Sequence, residues 1–163
     1  MLVVSNTSPI SNLAIIGHLN LLHLRFGEIR IPIAVKRELD RLSHESAMES
    51  IQQALAEGWI KPEMLREGKV ARMLGASLDP GEAEAIALAM ELSADLILLD
   101  ERDARAVAGC AGLRITGVLG VLLRAKQDGL IAAVKPEVEA LRTRARFFVS
   151  QRLEEQIIQI AGE

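Results

Sequence analysis

The chain predicts an α/β fold: a central parallel sheet flanked by helices in three layers. Two observations carry that expectation. Apolar runs of strand length alternate with stretches of helical character from the first residue to about residue 126. The run Leu96–Leu99 is apolar without alternation, as a strand buried on both faces requires. Crossovers between such strands are right-handed, and ligands bind outside the carboxyl ends of the strands.

The elements follow in order. Residues 1–5 (MLVVS) form a short apolar run ending in polar residues and a proline, hence a buried strand and a turn. Ser8 is the candidate cap of a helix with Pro9 at its first position and Ile10, Leu13, Ala14 and Ile16 as its apolar stripe, stopped by Gly17. Leu19, Leu21, Leu22, Leu24 and Phe26 predict a second helix, ended by Gly27. Residues 28–33 (EIRIPI) alternate charged and apolar side chains like a half-buried strand. Val35, Leu39 and Leu42 then repeat at i, i+4 and i+7 on a helix. Residues 45–57 read as helical, 59–63 (WIKPE) fit a strand or an extended linker, and 63–76 are ambiguous. From Asp79, a candidate N-cap, residues 79–93 are rich in helix formers and lead into the strand LILLD. A helix over 101–109, a strand at 113–117 (LRITG) and a helix over Val118–Lys126 come next. A helix after Pro136 and an amphipathic one near 150–161 complete the chain. There is no repeat, low-complexity segment or linker, so residues 1–163 read as one domain.

Composition narrows the function. Half of the 163 residues are apolar and a quarter are charged, which excludes intrinsic disorder. A net charge of -3 excludes a uniformly basic protein. The single cysteine, Cys110, allows no internal disulfide, and His18, His23 and His44 lack zinc-site spacing. Aromatic residues are 2 %, which argues against reading single strands mainly by base stacking. Leu2–Ile16 is apolar but lacks a basic leader and is interrupted by SNTSP and by Ser11 and Asn12. It predicts neither a signal peptide nor a membrane span, and a soluble cytoplasmic protein is expected.

The carboxyl-edge rule brings four separated residues together. Asn6 follows the first strand and Asp100 ends LILLD. Glu82 lies in the first turn of the helix feeding that strand, and Glu38 lies early in the helix after EIRIP. Three carboxylates and a carboxamide oxygen suit a hard cation such as magnesium or manganese, and phosphodiester hydrolysis is the chemistry such a site serves. Each residue also has a structural alternative. Glu82 completes a capping box, Asp79-x-x-Glu82. Glu38 fits a solvated helix face, Asp100 a helix cap, and Asn6 a turn bond. Glu84 lies about 200° around the helix from Glu82, so both cannot readily face one ion. Asp103 fits a surface pair with Arg102 or Arg105 better than a ligand.

SNTSPI after an apolar strand, VKREL about thirty residues later, GEAEAIALA, and LILLDERDAR together resemble the PIN domain. They are similar to VapC-type ribonucleases of prokaryotic toxin–antitoxin pairs and to a subgroup of small PIN-like proteins. The resemblance covers about residues 2–130, the expected PIN-like core, with C-terminal helices at about 136–161. It implies a Rossmann-like sheet and an acidic site binding Mg2+ or Mn2+ through Asn6, Glu38, Glu82 and Asp100. It also implies a homodimer and an antitoxin partner. The products would be a 5′-phosphate and a 3′-hydroxyl. Thr7 or Ser8 matches the hydroxyl bracing the first acid. Three departures stand out: Asn6 for aspartate, which cannot act as a base; Glu82 for aspartate; and Leu98 where a serine or threonine is usual.

Charge distribution fits a nucleic-acid substrate, and the resemblance alone implies RNA. Residues 114–152 hold eight basic and three acidic side chains, 8 - 3 = +5, leaving -8 elsewhere. Arg142, Arg144 and Arg146 stand beside Phe147 and Phe148, as a phosphate-binding stripe, a solvated helix face or a partner surface. The leading expectation is a metal-dependent endoribonuclease toxin. The rival is a PIN-like module that binds RNA or protein without cutting, favoured by Asn6. A receiver-like or phosphatase domain ranks below both: no acid ends the first strand and no DxDxT motif is present.

Overall fold

In the computed structural model, which describes residues 1–163, five strands form one parallel sheet. They are β1 (Val3–Ser5), β2 (Ile29–Pro32), β3 (Ile60–Glu63), β4 (Leu96–Leu98) and β5 (Ile115–Thr116), in the order β3-β2-β1-β4-β5. The chain moves outward from β1 to β2 and β3, then returns to place β4 on the other side of β1. Strand order therefore reverses between β1 and β4, the point at whose carboxyl ends open α/β sheets place their binding crevice. Val3, Val4 and Ser5 pair with Leu96, Ile97 and Leu98 in register.

Ten helices accompany the sheet: α1 (Thr7–Ile15), α2 (Asn20–Phe26), α3 (Ile33–Asp40), α4 (Glu45–Glu57), α5 (Lys69–Leu74), α6 (Pro80–Glu91), α7 (Arg102–Cys110), α8 (Val118–Gln127), α9 (Lys135–Arg144) and α10 (Gln151–Ile160). The pleat sends alternate strand residues into two cores. Val3, Ile29, Ile31 and Leu98 join 23 buried residues with side chains of α1, α2, α4 and α8. Val4, Ile97 and Leu99 join 11 with α6 and α7. Helix α6 buries eight of its residues, four of them alanines, because it packs on the sheet and against α3, α5 and α7. Val134, Val138, Val149 and Ile157 form a third cluster between the C-terminal helices. No helix is long and apolar enough to cross a membrane.

The three-layer α/β expectation holds. Details differ where local signals compete. Helix α1 starts at Thr7 rather than after Ser8, with Asn6 as its extended N-cap residue and Pro9 inside the first turn, where a missing N–H costs nothing. WIKPE is a strand, β3, at the sheet edge, and only Lys69–Leu74 of the ambiguous stretch is helical. Gly17 and Gly27, both at positive φ, end α1 and α2 as expected.

Ile97 is fully buried in the interior strand β4. Ile97→Ala is expected to lower the unfolding free energy by about 2–5 kcal/mol, measured by urea denaturation.

Candidate active site

Asn6 leaves β1 at the reversal point, and its N–H donates to the Leu98 carbonyl at 3.1 Å. That bond extends the β1–β4 pairing by one residue and fixes Asn6 at the carboxyl end of β1. The side chain is buried, and Oδ1 has no hydrogen-bond partner. Asp100 lies two residues past β4. Its Oδ1 accepts from the Val118 N–H at 2.8 Å, at the positive end of α8, while Oδ2 is buried without a partner. Gly117 makes that approach possible, because a Cβ there would stand 2.5 Å from Asp100 Oδ1. Asp100 thus caps α8 rather than the helix that follows it in sequence, α7.

Glu38 lies in the second turn of α3, later than expected. The helix is short and packs against α1 and α6, so the carboxylate still reaches the crevice. The Thr7 hydroxyl donates to Glu38 Oε2, and Gly81 of α6 leaves it room: a Cβ at Gly81 would stand 2.5 Å from Glu38 Oε1. Glu82 makes the capping box that its spacing allows. Its N–H donates to Asp79 Oδ1 at 2.8 Å, and Glu82 Oε2 accepts from the Asp79 N–H at 3.2 Å. Glu84 points elsewhere. It accepts from the Ala34 N–H at 3.0 Å and so caps α3, whose own N-cap residue, Pro32, has no side-chain acceptor.

Burial drives the electrostatics. Desolvation raises the Glu82 pKa against the Asp79 N–H bond, with Asp79, Glu101 and Glu38 adding repulsion. Desolvation likewise pushes Asp100 up to about 6. The Val118 N–H, the nearby Ser8 hydroxyl and the Arg105 guanidinium oppose the shift, and Glu101 reinforces it. Both groups hold protons more tightly than free carboxylic acids because their charge is poorly solvated.

Asn6 and Asp100 are brought to adjacent strand ends, and Glu38 and Glu82 lie on the neighbouring helices α3 and α6. No three Asp, Glu, His or Cys side chains are grouped to hold one ion. In donor chemistry the site fits a hard divalent cation, with hard oxygen donors and two orphaned buried oxygens, Asn6 Oδ1 and Asp100 Oδ2.

Other expectations need correction. The hydroxyls do not brace Asn6: Thr7 holds Glu38, and Ser8 Oγ accepts from Asn12 Nδ2 at 3.0 Å. Asp103 makes no ion pair, because Arg105 donates instead to the Leu99 carbonyl at 2.8 Å. Four of the eight basic residues in 114–152 are engaged internally. Arg124 pairs with Asp128, Lys126 with Glu163, and Arg142 with Glu139 and Glu154, while Arg144 donates to the Ile15 carbonyl at 2.7 Å. Sequence reasoning missed Glu101, Asn12 and the two glycines. Glu101, next to Asp100, carried a local signal, whereas Gly81 and Gly117 acquire meaning only from the side chains that lie over them.

A family model described as a PIN domain matches residues 2–163. The chain belongs to the PIN-domain family. Comparison with curated proteins and with solved structures returns no match. PIN domains are generally nucleases, so membership suggests a nuclease-type function and implies a nucleic-acid substrate.

Asp100 binds its proton more tightly folded than unfolded, so its contribution to stability is fully present below about pH 3.8 and lost as pH rises through about 6. Asp100→Asn keeps an acceptor for the Val118 N–H and removes the buried charge. The unfolding free energy is expected to rise by on the order of 2 kcal/mol above pH 7 and to change little near pH 4, measured by denaturation across pH.

Proposed function

We propose that the crevice is the metal centre of an endoribonuclease, and that the chain is the toxin of a toxin–antitoxin pair. One observation carries the catalytic part. Asn6 Oδ1 and Asp100 Oδ2 are buried at the strand-order reversal with no partner in the fold, and Glu38 and Glu82 lie on the helices beside them. A buried polar atom left unpaired is costly, and a bound ligand offsets that cost.

Asn6, Glu38, Glu82 and Asp100 would hold Mg2+ or Mn2+, which when bound neutralises phosphate charge and lowers the pKa of a coordinated water. The chain's own residues do the positioning. Thr7 orients Glu38, the Val118 N–H orients Asp100, and the Asp79 N–H takes one oxygen of Glu82, leaving Oε1 available. Asn6 supplies an oxygen without charge, which eases repulsion among the acids and rules it out as the general base. The toxin role, the antitoxin and the homodimer rest on the resemblance to VapC-type proteins.

A second reading has support of its own. Asn6 in place of an acid, and the absence of three acids grouped to hold one ion, favour a PIN module that binds RNA or a protein partner without cutting.

Purified protein is expected to cleave generic RNA with manganese, and Asp100→Ala to fall to background. Inert protein across metals and RNAs would sink the nuclease reading. Titration calorimetry separates the two readings, since absence of manganese binding at millimolar concentration favours the binding module. Gly81→Ala should keep or raise stability by up to about 1 kcal/mol through helix propensity. It should also push Glu38 aside and weaken manganese binding about 10-fold or more, read in the same titration.

A further inference from the structure

Between Asp100 and Glu101 on one side and the segment Ala145–Phe148 on the other lies a groove of about 390 Å³. A second groove, about 340 Å³, also reaches Asp100 and is lined by both Phe147 and Phe148. Phe147 packs partly buried against the core. Phe148 is 86 % exposed, the most exposed of the large apolar side chains, in a chain with only three phenylalanines, one tryptophan and no tyrosine. The fold gains no burial from that ring.

Its neighbour Arg146 is also unexplained by the fold. The chain leaves α9 through Arg146 at φ +52°, and the Phe147 N–H closes back on the Leu141 carbonyl at 3.0 Å. Glycine takes the left-handed conformation at lower cost, so ending the helix does not select arginine. Arg146 is exposed and has no acidic partner, whereas Arg142 and Arg144 on the same turn are bound to other groups.

A free guanidinium and a bare aromatic face on the wall of a groove that reaches Asp100 match a nucleic-acid strand. The guanidinium suits a phosphate and the ring suits a base. Only three of the eight residues lining the larger groove are apolar, which fits such a strand better than an apolar peptide. Bases inside a duplex are stacked on one another and offer the ring no free face. We propose that Arg146 and Phe148 are the strand-binding wall of the crevice, with a backbone phosphate held by Arg146 and one unpaired base stacked on Phe148. The inference rests on the nuclease reading for the identity of the substrate.

The test is binding of a short fluorescein-labelled single-stranded RNA, and of the same sequence in a duplex, by the full chain without divalent cations. Fluorescence anisotropy is followed across a salt series. The single strand is expected to bind more tightly than the duplex. Phe148→Ala is expected to raise Kd about 10-fold or more, with recovery in Phe148→Trp. Arg146→Gly is expected to lower the slope of log Kd against log salt by roughly 0.7, the loss of one single-strand phosphate contact, while melting no lower than the parent chain. Equal binding of single strand and duplex, no binding of either, or variants that bind like the parent would each overturn the inference. Manganese cleavage measured in parallel keeps the two ideas apart. Cleavage with unaltered binding in the variants sinks only the wall, and altered binding without any cleavage sinks only the nuclease reading.

Discussion

The parallel pairing of β1 with β4 is the constraint on which the rest of the site depends. It is the contact at which strand order reverses, and it ends with the Asn6 N–H on the Leu98 carbonyl. Two backbones held in register place Asn6 and Asp100 at neighbouring exits from the sheet, with no need for either side chain to find the other. The side chains that complete the site arrive on helices whose starting points are set by the same edge. Burial of Val4, Ile97 and Leu99 under α6 and α7 and of Val3 and Leu98 under the opposite layer anchors that pairing. The polar crevice is thus held by apolar packing on both sides of it.

Around this frame, capping and site-building use the same groups. Asp100 caps α8, Glu84 caps α3, and Glu82 closes the capping box of α6. Helix starts expose N–H donors and a partial positive charge, so carboxylates collect there for local reasons. The acids that remain only partly satisfied, Glu82 and Asp100, are those whose burial raises their proton affinity. Gly81 and Gly117 let two of the carboxylates lie directly over backbone, which a methyl group at either position would prevent.

Charge follows the same economy of use. The positive excess in residues 114–152 looks like a nucleic-acid surface when summed, yet ion pairs with Asp128, Glu139, Glu154 and Glu163 and a bond to the Ile15 carbonyl occupy much of it. Arg146 is the member of the arginine triplet left free beside the crevice. The low aromatic content is similarly uneven, since one of the four rings is displayed almost fully on the groove wall.

The α/β class, the order of the elements, the central position of LILL and the edge carrying Asn6, Glu38, Glu82 and Asp100 were legible in the sequence. Periodicity, turn residues and the carboxyl-edge rule act over short stretches or through topology alone, so a linear reading reaches them. The strand state of WIKPE was not legible, because an edge strand draws its pairing from β2, far away in sequence. Nor was the role of Glu84, since the helix it caps, α3, donates from Ala34, fifty residues earlier in the chain. The sequence by itself determined the α/β class and the sheet edge to which Asn6, Glu38, Glu82 and Asp100 belong. Tertiary structure decided which oxygens are left unpaired there, which arginine is free, and which ring stands open, because partners of buried and charged groups come from elements distant along the chain.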